Sequence, residues 1–423
     1  MRIALAAALL LGLASTGGVV LAVEPVDLEL LLAEAESNHP EIKVWAARHA
    51  AAEQRPSQME APPDPLLTVA YTNETFNSLT LGSSPDASLV FTWTQDVPYP
   101  GKLRLAGEVA RGEITIAERE LEAARRRIRS EVKRVYFELY RVDRTTELLD
   151  DTRQMLASFA ASTRGRYESG EGTLENVLKA QTELTAIEAD LAMNRQERRA
   201  TEARLAAAVG RSSTPSFGPA RALPPVVSPD RAVVEDEAVA SSPEIRALLA
   251  MANTESRRLD LARKDLKPDL MYGAGYAYRG GLDPMIMGMV GVRLPLYRGR
   301  KQAQAVAQTE YGLEAAQHEV VRGRNEILAR VRDLFATFER ATALVPVYTD
   351  GLVPQARSTL DAAMGSYAAG KLEFLALLDD ALQLLRFEIE YERQRVDALQ
   401  ALAGLEAITG TELIPPVSGG VHD

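Results

Sequence analysis

The chain has 423 residues, 25% of them charged and 46% hydrophobic, which is ordinary globular composition with length for two or three domains. A formal charge of -11 argues against a nucleic-acid binder. The absence of cysteine excludes disulfides, thiol catalysis, Cys-ligated zinc and a lipid-modified N-terminal Cys.

Met1-Arg2 precedes an apolar run from Ile3 to Leu13, and Val20-Leu21-Ala22 offers a small-residue cleavage site. Residues 1–22 therefore read as a secretory signal peptide. Beyond them no window of about 20 apolar residues exists, so no transmembrane helix is expected. Amphipathic helix is expected at about 27–36 and 40–58, ended by Pro62-Pro63-Asp64-Pro65. Leu66 to Thr75 alternates as a strand, and Asn77 to Asp86 reads as a loop. Ser88 to Val97 is a second strand, with Leu89, Phe91 and Trp93 on one face and Ser88, Thr92, Thr94 and Asp96 on the other. Pro98-Tyr99-Pro100-Gly101 stops it. The stretch from Lys102 to Arg164 holds no proline and predicts a helix of about 95 Å. The arginines at 125–127 and from Arg195 to Arg199 read as solvated helix faces. Tyr167 to Thr173 is a tight turn, and Leu174 to Val209 is the returning helix. The linker 211–229 holds five prolines.

The plan then repeats. Helix is expected at about 243–266 and strands at about 269–279 and 285–294, with Gly280-Gly281 and Pro284 between them. Long helices follow at about 300–366 and 372–409. Pro346 and Pro354 should bend the first of these or end a segment.

The repetition is visible residue by residue. Pro40-Glu41-Ile42 returns as Pro243-Glu244-Ile245, and Pro63-Asp64 with Tyr71 as Pro268-Asp269 with Tyr276. Pro98 and Gly101 return as Pro295 and Gly299, and Tyr167…Gly170 as Tyr367…Gly370. A unit of about 200 residues is far longer than a solenoid repeat of ~20–50. The expected organisation is a first repeat at 23–210, a linker at 211–229, a second repeat at 230–410 and a disordered tail at 411–423.

Strands of about 10 residues match a tilted outer-membrane crossing. One face is apolar and aromatic (Phe91, Trp93, Tyr276, Tyr278). The other is polar or small (Thr92, Thr94, Gly273, Gly275, Ala277), as lipid-facing and lumen-facing positions alternate. Four strands cannot close, and an open edge is not tolerated in lipid. A barrel must then be shared between chains. Two chains give 8 strands and a filled interior, and three give 12 and a lumen. The competing reading is a soluble coiled-coil protein with a small sheet.

The chain resembles the TolC-type outer membrane efflux protein family over about 25–410. The carriers are the duplication, Asn38-His39-Pro40-Glu41-Ile42, Pro63-Asp64-Pro65-Leu66, Pro98 to Lys102, and the turns at Gly170 and Gly370. The Pro98–Lys102 element leans toward the subgroup paired with heavy-metal resistance-nodulation-division pumps. The resemblance implies a mainly α fold with a small β part. Tandem helical hairpins would form a trimeric α-helical barrel, and four strands per chain a shared 12-stranded outer-membrane β-barrel.

The implied function is passive conduction, of metal cations or other substrate, as the exit duct of a tripartite efflux pump. The implied partners are two further copies, a periplasmic adaptor, an inner-membrane pump and outer-membrane lipid. A periplasmic adaptor or a scaffolding protein is the alternative. The hairpin tips, with Gly170, Thr173, Gly370 and Lys371, would meet the adaptor. Tyr367 matches a gating Tyr, Asn176 stands where its Asp partner would be, and Asp379 matches one acid of a selective ring. Ala376 stands where the other acid would be.

No set of nucleophile, base and orienting residue stands out, so no enzyme is expected. No cofactor or metal site is expected either, His39, His49, His318 and His422 being scattered. Met285, Met287 and Met289 share a strand face, read as barrel packing or lipid contact over thioether coordination of Cu(I).

Overall fold

The structure is a computed structural model that describes residues 25–74, 78–213, 216–220 and 223–415. The expected signal peptide lies outside these residues, as does the chain beyond 415. The first repeat runs α1 (Leu28–Asn38), α2 (Pro40–Glu53), α3 (Arg55–Glu60), β1 (Leu66–Thr72), β2 (Ser88–Val97), α4 (Lys102–Glu168) and α5 (Leu174–Ala208). The second runs α6 (Arg231–Ser241), α7 (Pro243–Lys264), β3 (Asp269–Arg279), β4 (Leu282–Arg293), α8 (Gln302–Pro346), α9 (Val353–Ala368) and α10 (Phe374–Thr409). No helix among the described residues is long and apolar enough to cross a membrane, which says nothing of the strands. At 67 residues, α4 spans about 100 Å.

Local chemistry sets the element ends. Asp27 caps α1 by accepting from the Glu29 N–H at 2.9 Å. Pro40 and Pro243 sit in the first turns of α2 and α7, where a missing N–H costs nothing. Gly170 and Gly370 take φ of +81° and +72°. At each, two bonds close the helix end: Gly170 N–H to Tyr167 O with Glu171 N–H to Arg166 O, and Gly370 N–H to Tyr367 O with Lys371 N–H to Ser366 O. The two copies thus keep the same stop signal.

Four expectations change. Helix α6 was not foreseen. Asp230 caps it by accepting from Ala232 and Val233, and Val234 and Ala238 bury one side. The helix expected at 40–58 is two, divided at Gln54. The turn between β3 and β4 is only Gly280-Gly281. Pro284 lies inside β4, beside a register shift at Ala277/Arg279 where the ladder asks nothing of its nitrogen. The tail is not disordered from 411. Glu406 accepts from the N–H groups of Leu413 and Ile414, both at 2.8 Å, and Ile414 is buried. The bend expected near Pro346 and Pro354 is a π-helical turn over Val347–Leu352, where Pro354 cannot donate to the preceding turn.

Two cores hold the helices. One joins α1, α4, α6, α8 and the C-terminal part of α10 around Tyr136, Phe137, Phe335 and Phe338. The other lies between the hairpins toward their tips, around Leu156, Phe159, Phe374 and Leu377. The first is crossed by an ion pair. Lys133 meets Glu406 at 2.5 Å with side chains only 9% and 10% exposed.

The sheet order is β1-β2-β3-β4, all antiparallel. The central β2–β3 pairing joins the two repeats, with Trp93 opposite Ala274 and Phe91 opposite Tyr276.

The Lys133–Glu406 pair generates a prediction. Glu406→Ala leaves a buried ammonium without its partner and frees two tail N–H groups, for an expected loss of about 3–5 kcal/mol. Arg322→Ala, at an exposed pair with Glu319 and Glu326, should stay within ~0.5 kcal/mol. Thermal unfolding of the detergent-solubilised protein compares the two.

Candidate functional site

The sheet separates its side chains into two unlike faces. The register puts Leu67, Val69, Tyr71, Leu89, Phe91, Trp93, Tyr272, Tyr276, Tyr278, Ile286, Val290 and Val292 on one of them. Nearly all of these are exposed, Ile286 at 85% and Val290 at 83%. Trp93 and Tyr272 meet edge to face at 5.6 Å. The four aromatic residues singled out from the sequence all lie here. So wide an apolar face left in water would be a liability.

The opposite face carries Thr68, Thr92, Thr94, Asp96, Gly273, Gly275, Arg293 and four methionines. Asp96 pairs with Arg293 at 2.9 Å. Met287 and Met289 stand opposite Gly275 and Gly273, and Met271 opposite Gly291. A Cβ on any of these glycines would lie 2.9–3.0 Å from the facing Met side chain. The thioethers thus lie down in the space the glycines leave, which is a packing arrangement. Among the described residues no group of three or more His, Cys, Asp or Glu could hold a metal ion.

Between sheet and helices stands an elbow. Gly101 takes φ +91° to turn β2 into α4. Asp269 accepts from the Tyr99 N–H and from Lys102 Nζ, both at 2.8 Å. Asp265 lies 3.1 Å from the same ammonium, and Lys264 sits 5.4 Å over the Tyr99 ring. The Pro98–Lys102 motif therefore has a structural task, fixing the angle between strand and helix.

At the far end the hairpin tips meet in a cleft of about 390 Å³. Thr173, Asn176, Tyr367 and Gly370 line it together. Thr173 caps α5 by accepting from the Asn176 N–H at 3.3 Å. Asn176 and Tyr367 share the cleft, but among the described residues no hydrogen bond joins their side chains. What holds Tyr367 is Arg166, which sequence reasoning missed. Its guanidinium lies 4.9 Å over the Tyr367 ring and donates to the Tyr367 carbonyl at 3.3 Å. Phe374 also packs against the ring, with centroids 5.9 Å apart. A signal existed: Arg166 stands where the second copy has Ser366, so the copies diverge one residue before the matched tyrosines.

Asp379 is not in the cleft. It is exposed on α10, and burial together with its charge raises the carboxyl of Asp380 above the usual range. Its counterpart in the first copy, Lys179, is paired with Glu183 at 3.0 Å. Lys371 is exposed at the turn.

The family model for the outer membrane efflux protein matches residues 31–211 and 234–411. Solved structures share the fold. The outer membrane protein VceC from Vibrio cholerae is 20% identical with a TM-score of 0.75, covering 91% of this chain and 96% of that one. The outer-membrane channel OprN is 18% identical with a TM-score of 0.77 over 92% and 91%. CusC is 14% identical with a TM-score of 0.77 over 92% and 94%. A comparison with curated protein sequences finds no match.

The tip generates a prediction. Arg166→Ala should release Tyr367 and raise hydrogen exchange several-fold across residues 365–371, since such a contact contributes about 0.5–1 kcal/mol. Arg164→Ala, at an exposed neighbour, should leave it unchanged.

Proposed function

The chain belongs to the outer membrane efflux protein family, matched over both repeats, and on that footing we propose that it is one third of a trimeric duct fed by an inner-membrane pump. As a member of this family it acts in efflux at the outer membrane. The observation that carries the finer reading is the sheet. Its apolar face is exposed from end to end, and its outer strands β1 and β4 have one side unpaired within the chain. Lipid tolerates neither water-loving backbone edges nor an unclosed sheet, so three copies closing 12 strands satisfy both demands. The family match across both repeats argues against the adaptor and scaffold alternatives.

Residues 1–22 deliver the chain to the export machinery. The helical hairpins, about 100 Å long, extend into the periplasm. Their tips meet an adaptor, and the cargo is chosen by the pump. Conduction is passive: the duct's contribution is a closed wall, a polar lumen face and charge at its narrow end. Asp379 supplies that charge in three copies, creating a negative potential that favours cations.

Two outcomes test this. Val290→Lys puts an ammonium on the lipid face, at an expected cost of about 2–4 kcal/mol near the midplane, and should abolish trimers in the outer-membrane fraction. Thr92→Lys, on the opposite face, should preserve them. Asp379→Asn should lower the cation preference of single channels in planar bilayers. In the unsubstituted protein that preference should fall as pH drops, because the raised carboxyl of Asp380 takes up its proton above the ordinary range. An unchanged reversal potential in Asp379→Asn would remove Asp379 from the gate.

A further inference from the structure

The duplication allows the contact between neighbouring chains to be derived from contacts inside one. Two shifts relate the copies: 205 positions carry Asp64 onto Asp269, and 197 carry Pro98 onto Pro295. Applied to β1 and β2, they carry Leu66↔Thr94 onto Met271↔Gly291 and Val69↔Phe91 onto Ala274↔Gly288. Both resulting pairs are present in the β3–β4 ladder. The repeat therefore extends to the strand register.

The third ladder, β2–β3, joins the first repeat to the second. Its counterpart must join the second repeat to the first repeat of another chain. We propose that β4 of one chain pairs antiparallel with β1 of the next in a single register: Val292↔Leu67, Gly291↔Thr68, Val290↔Val69, Met289↔Ala70 and Gly288↔Tyr71. This rests on the trimeric-duct reading and deepens it by naming the contact.

Three observations made inside one chain fit that register. First, the faces agree. Each outward apolar residue of β4 meets an outward residue of β1, which a slip by one position would destroy. Second, Gly288 has open space where a Cβ would stand, and it falls opposite Tyr71, which is 42% exposed. The corresponding pair in the observed ladder is Phe91↔Tyr276, so an aromatic ring is again available to cover the position.

Third, the helices beside the two edges are left partly uncovered. In α4, Leu105, Ala110 and Ala117 are buried near the start, where α7 covers them. In α8, the matching helix, the first buried residue is Val320, and Tyr311 is 72% exposed. On the other side, every residue of β1 is exposed and α3 buries none. One end of the chain thus lacks what the other end offers, which is the condition for a head-to-tail ring.

The elbow extends the contact. The shift carries Asp269, which grips Lys102, back onto Asp64, and the matched glycines align Lys102 with Arg300. Asp64 and Arg300 form no ion pair among the described residues. The second elbow is one residue longer than the first, so the backbone bond from Tyr99 is not carried over. The charge pair is: Arg300 of one chain faces Asp64 of the next.

The chain has no cysteine, so introduced pairs report without background. Within a chain β1 and β4 are separated by three strand spacings, about 14 Å, beyond disulfide reach. Oxidised outer membranes carrying Val69→Cys with Val290→Cys, or Thr68→Cys with Gly291→Cys, should yield covalent dimers and trimers on non-reducing gels. Val69→Cys with Val292→Cys and Val69→Cys with Ile286→Cys are the off-register controls and should yield several-fold less. Equal or stronger crosslinking in a control overturns the register. Asp64→Arg should weaken the trimer, and adding Arg300→Asp should restore it. Failure of that rescue removes the charge pair. The mass of the detergent-extracted particle is measured alongside. A trimer without in-register crosslinks refutes this inference alone, whereas a monomer refutes the duct reading.

Discussion

The rest of the structure depends on one constraint, that a strand edge must find a partner. Within the chain the constraint is met three times and left open twice. The pairing of β2 with β3 fuses the two repeats into one sheet, and the same fusion leaves β1 and β4 facing outward. In water such edges invite aggregation, and in hydrocarbon their unpaired N–H and C=O groups cost several kcal/mol each. The aromatic and aliphatic face of the sheet is exposed beside those edges. In the proposed duct, closing these edges between copies is what assembly accomplishes.

From the sheet the geometry passes to the helices through the elbow at Asp269. A carboxylate that accepts from both a backbone N–H and the Lys102 ammonium fixes where α4 leaves the sheet. A helix of 67 residues magnifies any error in that angle at its far end. The tips lie there, and the contact of Arg166 with Tyr367 is made there. The two hairpins share their glycine stop signals and differ in charge. The first has Lys179 bound to Glu183, and the second has Asp379 beside Asp380. The duplicated frame is thus kept while the tips differ in charge.

Much of this was legible because the signals are local or periodic. Ser88–Val97 and Asp269–Arg279 alternate cleanly, and the long helices lack proline until Pro346. The glycines at 170 and 370 announce their turns through a φ that other residues resist. Helix α6 escaped notice because 11 residues, about three turns, are too few to display a clear period. The docked tail escaped because what holds it is Glu406, remote from any turn or cap signal. Arg166 escaped because its partner lies about 200 positions away.

The duplication, the alternation of faces, the extent of the long helices and the hairpin turns at Gly170 and Gly370 are written in the sequence. Each follows from rules that act over a few residues or from direct comparison of one half with the other. Only the tertiary structure decided the strand order, the pairing of β2 with β3, the elbow at Asp269 and the grip of Arg166 on Tyr367. Those are contacts between residues far apart in the chain, and no local preference of either partner encodes which distant residue it will meet.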